Sequence, residues 1–86
     1  MYYTDVLRSK KDNLFYTGCA DDLRKRFCDH TLGKISSTRG RGPFEIIYYE
    51  VCDNKGDGFA REKLLKTGMG KHYIKNRLKR FLSLTG

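Results

Sequence analysis

The sequence has no apolar run approaching the roughly 20 residues that a membrane-spanning helix needs. It also has no N-terminal pattern of a secretory leader. Those absences exclude a membrane span and predict a soluble, cytoplasmic chain. Its three cysteines, Cys19, Cys28 and Cys52, lack metal-ligand spacing and leave one over in any disulfide scheme. Reduced thiols in an intracellular protein account for them most simply, with Cys28 expected in the core beside an apolar helix face. Repeats, linkers and low-complexity segments are absent as well. At 86 residues there is no room for a second domain or a large cofactor fold, because domains typically run roughly 100–150 residues. One domain, residues 1–86, is expected.

Acidic charge is scarce too, but only in one part of the chain. Lys plus Arg number 18 against 10 Asp plus Glu, a formal net charge of +8. Residues 1–60 hold 10 of the basic and 9 of the acidic side chains, whereas residues 61–86 hold 8 basic side chains against Glu62 alone. A one-sided positive field of that kind attracts phosphate backbones, although a solvated helix face has the same composition. Arg39 and Arg41, together with Lys71, Lys75, Arg77 and Lys79, are the candidate nucleic-acid contacts. Charge alone does not separate a DNA partner from an RNA or ribosomal one.

Patterning then gives the elements. Tyr2–Arg8 is rich in β-branched and aromatic residues and predicts a strand. Asp12-Asn13 predicts a turn, and Leu14–Gly18 the returning strand of a hairpin. Asp21 or Asp22 can cap a helix that begins near Leu23, holds Leu23 and Phe27 inward, and stops at Gly33. Lys34–Gly42 is a basic, Gly/Ser-rich loop, expected to be exposed and mobile. Phe44–Val51 is a strand whose nearly continuous apolar run predicts helices on both of its faces. A second helix is expected from Asp57 or Gly58 to Lys66, broken by Gly68-Met69-Gly70. A third, Lys71–Leu82, turns Ile74, Leu78, Phe81 and Leu82 to one side and its basic residues to the other. Tyr48, Tyr49 and Tyr73 are expected as packing aromatics, and His72 as solvated or near phosphate. The order β-β-α-β-α-α describes a small α/β (α+β) sheet with helices packed on it.

Chemistry concentrates around Tyr16-Thr17-Gly18. Arg26 and His30 are spaced i, i+4 and lie one above the other at the margin of the Leu23/Phe27 stripe. Glu62 sits between Phe59 and Leu65, again near a buried boundary. A guanidinium, an imidazole, a phenol and one carboxylate form a workable kit for metal-assisted phosphodiester hydrolysis. Arg matches phosphate oxygens with a planar fork. One carboxylate plus waters suits Mg²⁺, and a His or Tyr can take a proton from the attacking water. The same residues would also serve as a surface pair and a salt-bridge partner.

These residues carry a family likeness. Tyr16-Thr17-Gly18, Asp22-Leu23, Arg26 and His30, then Thr38-Arg39-Gly40 through Tyr48-Tyr49-Glu50, Ala60-Arg61-Glu62-Lys63 and Leu65-Lys66-Thr67-Gly68 follow in order. Together they resemble a GIY-YIG nuclease domain of the small stand-alone bacterial type, over essentially the whole chain. The resemblance implies a three-stranded antiparallel sheet flanked by helices. It implies one divalent metal, Mg²⁺ or Mn²⁺, held by Glu62, with Arg26 supporting the scissile phosphate. Tyr16 and His30 would orient or activate the attacking water, and Gly18 would let the backbone pass close by. The function so implied is a metal-dependent DNA endonuclease of repair or recombination.

One position departs from the family pattern. The first tripeptide reads Tyr3-Thr4-Asp5, placing Asp5 where the family shows a tyrosine. Asp5 cannot supply a phenol. Its carboxylate could be an extra metal ligand, a general base, or a repulsive charge. Within a small sheet it needs a partner, and Arg26 or a metal could provide one. The alternative function is therefore a GIY-YIG fold weakened or inactive in catalysis that binds nucleic acid.

Overall fold

The computed structural model describes residues 1–35 and 38–85; Ser36 and Ser37 of the predicted basic loop, and Gly86, lie outside the described residues. The elements run β1 (Tyr2–Ser9), β2 (Phe15–Ala20), α1 (Leu23–Thr31), β3 (Phe44–Cys52), α2 (Lys55–Leu65), α3 (Gly68–Arg77) and α4 (Lys79–Thr85). The three strands form one antiparallel sheet in the order β2-β1-β3. This is the expected α+β class, with one more helix than the sequence patterning resolves.

The hairpin closes because Asn13 accepts a left-handed backbone, φ 62°, a conformation Asn tolerates through local hydrogen bonding. The Ser9 hydroxyl also accepts from the amides of Lys11 and Asp12. Each of the next three helices starts at a side-chain cap. Asp22 accepts from the amide of Lys25, Asn54 from Asp57 and Thr67 from Gly70, satisfying amides that the first turn leaves bare.

The central strand β1 divides its side chains between two faces. Thr4 and Val6 meet α2 and α3. The Thr4 hydroxyl donates to the Gly58 carbonyl at 3.0 Å. Val6 joins Leu65 and Ile74 in a core flanked by Phe15, Ile47, Tyr48 and Leu78. Asp5 and Leu7 face the other way, towards α1, and both are fully buried.

Five expectations need correction. Cys28 is exposed: the inward stripe of α1 is Leu23, Arg26, Phe27 and His30, so two polar side chains occupy the positions next to which Cys28 was placed. β3 is not covered on both faces. Ile46, Tyr49 and Val51 are exposed, with Tyr49 against Tyr3 at 6.2 Å between ring centroids. Gly68-Met69-Gly70 does not break a helix but begins α3, since Thr67 caps it. The predicted third helix is two helices, interrupted at Leu78. Finally, the basic loop is exposed as expected at Lys34, Arg39, Gly40 and Arg41, but its described part is fastened at several points. Thr38 is buried, the Ser9 hydroxyl donates to the Arg41 carbonyl, and the Lys10 amide donates to the Pro43 carbonyl at 2.8 Å. Arg41 pairs with Asp12 at 3.4 Å.

Tyr73 is exposed and lies beneath the Arg61 guanidinium, 5.3 Å from its ring centroid. Tyr48 is half-buried and donates to Glu50 at 2.7 Å. No helix among the described residues is long and apolar enough to cross a membrane.

Candidate functional site

A cleft of about 550 Å³ runs along β2, the edge strand beside β1, between α1 and α2. β2 contributes Tyr16, Thr17 and Gly18 among its lining; α1 contributes Arg26 and His30; α2 contributes Glu62; Lys66, Lys71 and Thr38 also line it. Five sequence candidates, Tyr16, Gly18, Arg26, His30 and Glu62, are thus brought together from three separate elements, and Lys71 joins them.

Arg26 organises the centre. Its Nε–H donates to Asp5 Oδ2 at 2.6 Å, and Nη1 donates to His30 Nε2 at 2.5 Å. A guanidinium carries five N–H groups and no acceptor. The proton in the second bond therefore belongs to Arg26, and His30 Nε2 is the acceptor. The ring's proton must then sit on Nδ1, which donates to Thr38 Oγ1 at 2.7 Å, and the Thr38 hydroxyl donates onward to the Ile35 carbonyl at 3.3 Å. Burial, and then the Arg26 charge, hold the His30 imidazole below its ordinary range, so the ring is neutral at pH 7.

The floor under the guanidinium is Gly18. A Cβ there would stand 2.1 Å from Arg26 Nη2, so only glycine lets Arg26 lie against the strand. Phe44, itself buried, braces two walls: its ring meets Tyr16 edge-on at 5.5 Å and His30 at 6.1 Å. The Tyr16 hydroxyl makes no hydrogen bond to another described residue.

Asp5 does not line the cleft. It is 0% exposed on the central strand, opposite Gly18 and Tyr49, with its carboxylate beneath Arg26. Burial pushes its carboxyl up from the ordinary carboxylate range, the Arg26 hydrogen bond and charge oppose this, and the Glu62 charge adds to it. Oδ1 has no partner among the described residues. Of the partners the sequence allows Asp5, the structure supplies Arg26, and the carboxylate is shielded from solvent on the central strand.

Glu62 is largely shielded and paired with Lys66 Nζ at 3.0 Å, one helical turn on. The described residues contain no group of three His, Cys, Asp or Glu side chains able to hold a metal. A single cleft carboxylate is nonetheless what a strongly hydrated, oxygen-seeking ion such as Mg²⁺ takes, with waters and phosphate oxygens completing its shell. The donor set fits on that basis.

The remaining candidates lie outside the cleft wall. Arg39 donates to the Gly33 carbonyl at 3.0 Å and Arg41 is held by Asp12. Lys75 lines an adjoining cleft of about 380 Å³ that shares Phe15, Tyr16 and Lys71 with the first. Its Nζ lies 6.0 Å from the Phe15 ring centroid. Arg77 and Lys79 are exposed on α3 and α4. Sequence reasoning missed Lys66, which its i+4 spacing from Glu62 could have revealed, and the anchoring role of Thr38. Nothing local signals the latter.

Most of the chain is similar in sequence to known proteins. Residues 1–79 match the family model of the GIY-YIG catalytic domain. A UPF0213 protein of Clostridium perfringens is 39% identical over 67 residues, covering 77% of this chain and 71% of that one. A UPF0213 protein of Oceanobacillus iheyensis is 38% identical over 66 residues, 76% of each. A solution structure of a UPF0213 protein from Bacillus halodurans is 31% identical, with a TM-score of 0.48 over 100% of this chain and 87% of that one. The cleft described above is thus carried by a sequence that matches a nuclease-type model from its first residue, and the chain belongs to the GIY-YIG family.

Proposed function

We propose that the protein is a metal-dependent endonuclease that hydrolyses phosphodiester bonds in DNA. The observation that carries this reading is the meeting of Arg26, Tyr16 and Glu62 in one cleft rimmed by Lys66 and Lys71. Glu62 would hold the divalent ion, Mg²⁺ or Mn²⁺. Such an ion, when bound, polarises a phosphoryl oxygen and makes water a better nucleophile at neutral pH.

The chain's own residues account for the rest. Asp5 and His30 each take one N–H of Arg26, leaving three of five. Both Nη atoms therefore keep an N–H to offer, the two-point donor that suits phosphate and offsets charge gathering on a pentavalent transition state. Tyr16 Oη, without a protein partner among the described residues, is the group left to orient the attacking water. His30 has both ring nitrogens engaged, so it acts through Arg26 and takes no proton from water. Lys66 and Lys71 hold the flanking phosphates.

The test is scission of supercoiled plasmid and branched DNA with Mg²⁺ or Mn²⁺. Glu62→Ala should abolish nicking, and Arg26→Ala should slow it by about 100-fold or more. Tight DNA binding with no nicking under either metal would replace this reading with that of a non-catalytic binder. Preferential cutting of RNA in a mixed substrate would reassign the substrate class.

A further inference from the structure

We infer that Asp5, standing where the family shows a tyrosine, is the positioning residue for Arg26: it fixes the guanidinium so that both Nη atoms face a phosphate, and it tempers that group's charge. The inference rests on the nuclease reading for its kinetic consequence, and on geometry alone for the anchoring itself.

Three observations support the anchoring. Asp5 is 0% exposed, so it touches Arg26 and not the substrate. Its Oδ2 holds Nε–H at 2.6 Å while His30 Nε2 holds Nη1 at 2.5 Å. Two anchors at separate nitrogens of a planar group remove its rotation about the end of the side chain. The third is the bare Gly18 surface: a Cβ there would stand 2.1 Å from Arg26 Nη2, so the guanidinium lies directly against the strand. Sequence and structure meet here at one register position, since Asp5 and Gly18 are direct partners across the β1–β2 ladder.

The choice of an acid has a consequence of sign. A carboxylate in contact with Arg26 weakens the pull of that cation on a phosphate in the ground state, while the fixed geometry aids the transition state. Removing the carboxylate should therefore separate binding from turnover. A neutral residue at position 5 leaves Arg26 more strongly attracting but free to rotate. A residue that serves only the fold would lower the active fraction without lowering KM.

The kinetic experiment compares wild type, Asp5→Asn, Arg26→Ala and the double variant on a fluorescent DNA substrate under one metal. Asp5→Asn should lose at least tenfold in kcat with a lower KM, and should cost nothing further in the Arg26→Ala background. Multiplying losses, or a KM that is not lowered, would overturn the inference. A second measurement needs neither activity nor a variant. In wild type, the Arg26 Nε–H resonance, assigned by through-bond correlation along its own side chain to the Arg26 backbone, should exchange with water at least tenfold more slowly than those of the exposed arginine side chains. Exchange as fast as theirs would overturn the anchoring. Absence of scission with a protected Nε–H would defeat the nuclease reading and leave the Asp5–Arg26 anchor standing.

Discussion

Both ring nitrogens of His30 have partners, and protonation would set a second cation against Arg26 at 2.5 Å. The folded state therefore binds the His30 proton less readily than the unfolded chain, whose histidine titrates near about 6.5. A group with a lowered folded pKa stabilises the fold fully above its unfolded value, and that contribution is lost as pH falls through the folded one. Thermal unfolding followed by circular dichroism should show the midpoint falling between pH 7 and pH 5, and His30→Gln should flatten that dependence while lowering the midpoint at pH 7. Asp5 acts with the opposite sign, because its raised carboxyl gains relative stability on protonation; the difference between the two proteins, not either curve alone, reports His30. At this scale the sequence was legible where spacing carried chemistry, as in Arg26 and His30 one turn apart. It was illegible where a partner came from the loop: nothing near Thr38 announces that its hydroxyl will hold His30 Nδ1.

Helix boundaries turn on caps more than on glycine content. Gly68-Met69-Gly70 reads as a breaker because glycine disfavours helices by roughly 1 kcal/mol per residue. Yet Thr67 caps Gly70, and the lack of a side chain at Gly70 is itself required. A Cβ there would fall 2.2 Å from the Leu64 carbonyl oxygen, so the glycine is where α2 and α3 touch. Thr67→Ala should cost about 1 kcal/mol of stability and weaken DNA binding through Lys71, which lies in the same first turns of α3; denaturant unfolding and a binding titration check the two. The α1 misplacement of Cys28 has a related cause. Its inward face holds Arg26 and His30, so a search for an apolar stripe finds only half of it. The β3 run misleads in the reverse way: Tyr49, Ile46 and Val51 look buried by composition but face outward at the sheet's edge.

The molecule as a whole carries a small apolar core and a large positive surface. Val6, Leu65 and Ile74 are its centre, while Asp5, Arg8, His30 and Thr38 are polar and buried. Part of the positive charge is already spent inside the fold. Arg8 pairs with Glu45 and Arg61 with Glu50, whereas the lysines of α3 are exposed, and the proposed function gives them phosphates to meet. DNA affinity should thus fall linearly on a log–log scale with salt, and Lys71→Gln and Lys75→Gln should each reduce the slope by about 1. A titration of binding against sodium chloride measures this, and unchanged slopes would place the DNA elsewhere. The basic C-terminal third was plain in the sequence, whereas the internal spending of Arg8 and Arg61 depends on strand register and was not.

The fastening of the loop to the β1–β2 turn has a reach beyond its own contacts. Ser9, Lys10, Lys11 and Asp12 hold Arg41, Pro43, Gly40 and Arg41 again. Three residues upstream of Arg41 stands Thr38, which fixes His30, which steadies Arg26. The hairpin turn is therefore the far stay of a guyed mast: slackening it leaves every cleft residue in place in the sequence while removing the tension that keeps the arginine upright.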